Sequence, residues 1–399
     1  MNSRLDELSS QCIRCGFCLE SCPTFQLTGE EQHSPRGRIM LARQANEGKI
    51  PWPETADALD HCLGCRACET ACPSGVKYGQ ILELAREHLP KSKTEKKFTD
   101  RISNPQQMKW MLRLARLSPL KTLPSGINRL VTGSRFPLDV PIEHTRTLRT
   151  FNAQNLPEIR GQVGLVLGCA MRAMYSPVHE ATRRLLRRIG FETVNIESPC
   201  CGALHAHQGL HNQAESRLRS LAEDAPPDLP VLTNSAGCGS HMKEAGNFDP
   251  ELQGFAARVH DISEFLLAHG LPEVLSNLNP KPRVLTYHDA CHLAHGQRIT
   301  APPRALLESV PGVTLVPLEN ADRCCGSAGT YSVYHRDWAL ELVKRKFDSI
   351  EATGSEAVVL GNPGCQSWIT QESKRRNSPI QVYHLVEILE LICSESESG

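Results

Sequence analysis

The second part of the chain alternates between two hydrophobic periods. Short apolar, β-branched runs (VGLVL at 163–167, VLT at 231–233, RVLTY at 283–287, AVVL at 357–360) are separated by stretches whose apolar positions recur every three or four residues. Residues 179–189 are one such stretch and predict a helix whose apolar face is plain core packing. Strands alternating with helices predict two α/β units with parallel sheets, over 161–275 and 276–395.

These units are copies of one another. One reads VGLVLGC to Cys169, PCCG at Cys200 and Cys201, and VLTNSAGC to Cys238; the other reads RVLTYHDAC to Cys291, RCCG at Cys324 and Cys325, and AVVLGNPGC to Cys365. The single cysteines fall where strands end, the place where open α/β sheets bind ligands. Gly202 and Gly326, after each cysteine pair, suit a tight loop that admits a bulky inorganic group.

Residues 90–160 contain no cysteine, many Pro and Gly breaks, and a basic excess at Lys91, Lys93, Lys96, Lys97, Arg113, Arg116 and Arg135. They read as a basic linker with helices. Along 106–117, Met108, Met111, Leu112 and Ala115 form one helical stripe and Lys109, Arg113 and Arg116 another. Packing on the α/β units is favoured over an anionic membrane surface, because one short helix binds a bilayer weakly.

Residues 1–89 follow neither pattern and are organised by cysteine. Cys12, Cys15, Cys18 and Cys22-Pro23 are repeated in identical spacing by Cys62, Cys65, Cys68 and Cys72-Pro73, two copies of the bacterial ferredoxin run. Three cysteines at two-residue intervals wrap one face of a cube, and the fourth, followed by a proline that turns the chain away, points to the neighbouring cube. That assigns Cys12, Cys15, Cys18 and Cys72 to one 4Fe-4S cluster, and Cys62, Cys65, Cys68 and Cys22 to a second. Gly16, Gly64, Ala67 and Gly75 leave room for backbone amides beside the sulfides. Structural zinc sites use two ligand pairs across a longer loop, a different signature. Between the motifs, Arg36 and Arg38 of SPRGRI either offset cluster charge, dock a redox partner or are solvated loop residues.

Composition decides how the cysteines are read. Seventeen cysteines in 399 residues is a large number, and they serve as disulfides, metal ligands or redox groups. The first eleven residues carry Arg4, Asp6 and Glu7 without an apolar core, and no apolar run reaches membrane-spanning length. The expected location is the cytoplasm, where clustered cysteines are metal ligands. Lys plus Arg equals Asp plus Glu at 44 each, so global charge gives no reason to expect nucleic acid. Neither a G-x-G-x-x-G after a strand nor a Walker-type loop occurs, so no site for a flavin, nicotinamide or nucleotide is read here and a partner must oxidise the organic substrate.

Taken together, CIRCGFCLESCPTFQLTGEE, SPRGRI, CLGCRACETACPSGVKYG, SAGCG, RCCGSAGTY and NPGCQ resemble the cysteine-rich CCG-domain family, specifically the iron-sulfur subunits of glycolate oxidase, over essentially the whole chain. The resemblance implies an α+β protein: a small helical di-cluster ferredoxin domain followed by two duplicated α/β CCG units. It implies an electron-transfer subunit of a glycolate, and also D-lactate, dehydrogenase complex. Its partners would be an FAD-containing catalytic subunit, a second flavoprotein-like subunit and the quinone pool, with peripheral contact on the cytoplasmic face of the inner membrane. Subunits of anaerobic glycerol-3-phosphate dehydrogenase and heterodisulfide reductase share the layout and supply the alternative, thiol/disulfide chemistry at the CCG sites. The fuller pattern ends in Cys-x-x-Cys; here Ser235 precedes Cys238 and Asn362 precedes Cys365. An additional iron-sulfur cluster on four thiolates, zinc or free thiols are the choices that remain for Cys169, Cys200, Cys201, Cys238, Cys291, Cys324, Cys325 and Cys365. His241, His288, His292 and His295 lie near these cysteines and read as satisfied histidines rather than ligands. Cys393 lies outside both repeats and reads as unliganded.

Overall fold

The computed structural model describes residues 2–117, 132, 148, 151 and 156–396. Arg135 of the basic linker lies outside them, as do the side chains of Ala115 and Arg116. The layout is α+β, with a helical amino-terminal domain and two parallel sheets.

The amino-terminal domain wraps its cysteine loops around three helices, Ser3–Ser10, Pro35–Asn46 and Tyr78–Glu87. Leu5, Leu8, Ile39, Ala42, Ile81, Leu82 and Ala85 close their common core. SPRG starts the middle helix: the Ser34 side chain accepts from the Gly37 amide and Pro35 occupies the first turn.

In the first α/β unit, β1 (Gly161–Val166), β2 (Phe191–Ile196), β3 (Val231–Thr233) and β4 (Val259–Asp261) form a parallel sheet of order β2-β1-β3-β4. In the second, β5 (Arg283–Tyr287), β6 (Val313–Val316), β7 (Ala357–Leu360) and β8 (Gln381–His384) repeat that order as β6-β5-β7-β8. Helix Ser176–Arg188 buries Val178, Ala181, Leu185 and Leu186, the apolar face its periodicity predicts.

The units exchange helices about a pseudo-twofold axis. The helix after β8, Leu385–Ser396, packs on Ser176–Arg188 of the first unit, and the helix after β4, Ile262–Ala268, packs on Ala301–Glu308 of the second. A single apolar core therefore runs through both, from Leu165 and Leu232 to Leu285 and Val359, and it contains Cys393. At the axis the loop after β3 meets the loop after β7 and the end of β8: the Ala236 amide donates to the Gly361 carbonyl and His384 Nε2 to the Asn234 carbonyl.

Helix Pro105–Leu117 packs against helix Cys169–Met174, with Leu112 buried and Met108 against the core, while Lys109, Trp110 and Arg113 are exposed. Among the described residues, no helix is long and apolar enough to cross a membrane.

Two buried histidines tie this fold to pH. His179 Nε2 donates to the Leu167 carbonyl and its Nδ1 accepts from Asn234, an arrangement available only to the neutral ring. Burial is the main reason that His179 and His241 are each pushed down to about 4. The unfolded chain takes up these protons near pH 6.5 and the folded one does not. Stability is thus fully present above pH 6.5 and falls as pH drops toward 4, by at most about 1.4 kcal/mol per pH unit for each ring. The denaturant midpoint is expected to fall between pH 7 and pH 5, with a shallower slope in His179→Gln.

Candidate metal centres

The two ferredoxin loops fold alike because their backbones turn at matching positions. Arg14 and Gly16 in the first, and Gly64 and Arg66 in the second, have φ of 59°, 90°, 64° and 65°. Left-handed residues at the second and fourth positions after the leading cysteine turn successive amides inward, a concavity that suits an anion. At Gly16 an added Cβ would lie 2.8 Å from Arg36 Nη1. Gly16→Ala therefore costs the left-handed strain of about 1–2 kcal/mol, and the arginine must also move.

The structure gathers the eight amino-terminal cysteines in crossed fashion. Cys12, Cys15, Cys18 and Cys72 line one cavity, into which Cys68 also reaches; Cys22, Cys62, Cys65 and Cys68 line the next. The first set lies near the surface, with Cys15 exposed and flanking Ile13 and Phe17 each 69% accessible. The second set is wholly buried.

Buried cations and donors compensate the second set. Arg38, 1% exposed, donates through Nε to the Ala58 carbonyl (2.6 Å) and through Nη1 to Thr24 Oγ1 (3.0 Å) and Cys22 Sγ (3.9 Å). Burial works against its charge, but Cys62, Tyr78 and Cys22 outweigh burial and hold it above the ordinary arginine value. Cys62 shows the reciprocal effect. Burial raises it, and Arg38, Arg86, the Tyr78 hydroxyl at 3.3 Å and the Gly64 amide together pull it below the ordinary thiol value. Arg38 thus offsets charge. Arg36 instead pairs with Glu31 and donates to the Arg14 carbonyl, bracing the first loop.

The eight cysteines of the α/β units all sit after strand ends and face one cavity of about 400 Å³ between the units, with Cys62 at its wall. Within each unit the thiols form a chain of contacts: Cys169 to Cys200 to Cys201 to Cys238, and Cys291 to Cys324 to Cys325 to Cys365. Neighbouring thiols and burial push Cys169 and Cys201 up, while hydrogen bonds from these two pull Cys200 down. In the second unit Cys291, Cys324 and Cys325 are all pushed up. Four sulfurs crowded in a buried pocket cannot all be thiolates unless a cation joins them, so each set fits a thiophilic metal. The amino-terminal domain adjoins this region directly: Cys291 lies close enough to raise Cys65, and Cys65 close enough to raise Cys324.

Gly202 and Gly326 form the tight left-handed turns expected of them. At φ +90° and +86°, an added Cβ would strike the Ala214 carbonyl at 2.5 Å and the Ala339 carbonyl at 2.7 Å, so each glycine lets its loop lie on a later helix, His211–Asp224 or Arg336–Ala352. Ser235 and Asn362 meet each other at the axis, Oγ to Oδ1 3.5 Å, and Asn362 Nδ2 donates to Cys365 Sγ (3.5 Å). A hydrogen-bond donor stands where a fifth sulfur would be.

The histidines divide. His292 Nε2 donates to the Gly64 carbonyl, and His295 bonds Thr70 through Nδ1 and the Asp322 carbonyl through Nε2. His241 is buried beside Glu83 and His207. His288 departs from its expected role, since its buried Nε2 has no hydrogen-bond partner among the described residues. Three groups escaped the sequence reading: Tyr78, Arg86 and Lys346. Lys346 donates to the Asn320 and Ala321 carbonyls, and burial pushes it down to about 8 beside Cys325, Cys324 and Cys365. Its spacing from Leu342, Val343 and Ile350 on the buried helix face was the available signal.

Residues 8–76 match the 4Fe-4S dicluster domain, and residues 163–243 and 285–370 each match the cysteine-rich domain CCG. The probable glycolate oxidase iron-sulfur subunit of Bacillus subtilis is 34% identical over 95% of this chain and 92% of its own length. The chain belongs to the family of glycolate oxidase iron-sulfur subunits. The Escherichia coli glycolate oxidase iron-sulfur subunit is 30% identical over 96% of this chain and 94% of its own. A hypothetical protein from Helicobacter pylori shares the fold of this iron-sulfur subunit family, with a TM-score of 0.53 at 11% identity over 98% of this chain and 73% of that one.

Proposed function

We propose that this chain is the electron-transfer subunit of a glycolate dehydrogenase complex that also acts on D-lactate, taking single electrons from a partner's reduced FAD and passing them toward quinone. The observation that carries this reading is the gradient of exposure across two adjoining cysteine sets: the first opens to solvent at Cys15, and the second is buried against Cys291 and Cys324. Cys12, Cys15, Cys18 and Cys72 would hold one 4Fe-4S cluster and Cys22, Cys62, Cys65 and Cys68 the other. When bound, these clusters supply one-electron uptake and release. Ile13 and Phe17 exclude water where a flavoprotein would dock, and Arg38, Arg86 and Tyr78 hold negative charge in the interior. Substrate oxidation belongs to the FAD-bearing partner, assisted by a second flavoprotein-like subunit. The outward Lys109, Trp110 and Arg113 offer a peripheral foothold on anionic lipid near the quinone.

Co-purification of the complex and assay with glycolate, D-lactate and glycerol 3-phosphate tests this. Glycolate turnover by the complex, and none by the isolated chain, is expected; turnover by the chain alone would refute the division of labour.

One observation favours a second reading, thiol/disulfide chemistry in a heterodisulfide-reductase-like complex: all eight CCG cysteines share a single cavity. Reduction of a small disulfide by the chemically reduced chain would support it.

A further inference from the structure

The two α/β units are alike in strand order and cysteine placement, but not in what stands beside the cysteines. Three residues before Cys291 is His288; three residues before Cys169 is Val166. Among the described residues, the ligand atoms of His288, Cys325 and Cys365 lie within 4.8 Å of one another, and all three residues are buried.

The imidazole is prepared for one role. His288 Nδ1 lies 3.0 Å from the Ala321 carbonyl, which can only accept, so Nδ1 carries the proton and Nε2 the lone pair. The side chain is 0% exposed, and among the described residues that Nε2 finds no hydrogen-bond donor. An orphaned buried nitrogen costs free energy unless something meets it. A ring that donates one N–H to a backbone carbonyl and turns the other nitrogen toward two sulfurs is oriented as metal-bound histidines are. The carbonyl is itself fixed, because Ala321 also accepts from the Asp289 amide and from Lys346 Nζ. At the matching position of the first unit, Val166 offers no donor atom.

We propose that the second α/β unit binds a thiophilic metal, iron or zinc, through a mixed set in which His288 Nε2 joins the Cys325 and Cys365 thiolates, whereas the first unit has Val166 at the matching position. The two centres are then unequal. A neutral nitrogen in place of a thiolate makes the second site less negative, and if the metal is iron its potential lies above that of the first. Because Cys65 adjoins Cys291 and Cys324, the higher-potential site is the one next to the amino-terminal sets.

The test uses the full-length chain purified without oxygen, in wild-type, His288→Val and His288→Cys forms, with iron and zinc counted per chain. His288→Val places the first unit's residue in the second and is expected to lose the second unit's metal while retaining the amino-terminal iron. His288→Cys keeps a donor and should keep the metal. Pulsed paramagnetic resonance for iron, or X-ray absorption at the zinc edge for zinc, should find a nitrogen ligand in the wild type and none in His288→Cys. Wild-type metal content in His288→Val, or no nitrogen ligand at either metal in the wild type, would overturn the proposal. The amino-terminal iron is counted separately, so the proposed electron-transfer role stands or falls independently.

Discussion

Cys72→Ser is expected to strip iron from the set formed by Cys12, Cys15 and Cys18 and to leave the set containing its own sequence neighbours, Cys62, Cys65 and Cys68, intact. The cavity around the first three cysteines is closed by Cys72, and that around the latter three by Cys22. Each single loss should lower the amino-terminal iron from about eight to about four per chain. The decisive comparison is between variants. Cys72→Ser should share its remaining paramagnetic spectrum with Cys12→Ser, and Cys22→Ser with Cys62→Ser. If Cys72→Ser matched Cys62→Ser instead, each motif would be filling its own cluster.

The second large effect is expected from Arg38. Its guanidinium is enclosed, donates to Cys22 Sγ and acts on Cys62 more strongly than any other cation. Arg38→Leu leaves the second set's negative charge uncompensated, along with the Ala58 carbonyl and Thr24 hydroxyl it now satisfies. Removing one partner of a buried charge pair costs about 3–5 kcal/mol. A cluster that survives the change should be harder to reduce, since added negative charge is no longer offset. Arg38→Lys should rescue only in part, because a point charge cannot reach both oxygens at once. Arg36→Leu is the control: its ion pair with Glu31 is partly solvated and worth about 1 kcal/mol or less. Thermal unfolding of the anaerobic proteins and a redox titration of each measure both effects.

The contrast between these two arginines marks where sequence stops being informative. Iron-sulfur spacing is legible because the loop that wraps the metal is local, and strand-end cysteines are legible because the period changes there. Whether an arginine two residues from another is solvated or enclosed depends on the Ala58 carbonyl, twenty residues onward. The cavity shared by both units depends on helices exchanged between them, such as Leu385–Ser396 against Ser176–Arg188, and no periodicity encodes that exchange. His288 looked like its neighbours His292 and His295 in sequence. Only the placement of Gly64, Thr70 and Asp322 satisfies those two and leaves His288 with an open nitrogen. Gly202 and Gly326 were recognised as constrained, and the close approach of Ala214 and Ala339 adds a constraint that the sequence does not show.

The proposed electron-transfer role rests on one physical arrangement: eight amino-terminal thiolates that would hold two clusters, grouped four and four by crossed motifs. Anaerobic purification, followed by iron and sulfide analysis and reductive titration under paramagnetic resonance, examines it most directly. A brown protein with about eight or more irons, matching sulfide and a signal that appears on reduction is predicted. A colourless protein holding zinc, silent after reduction, would contradict it.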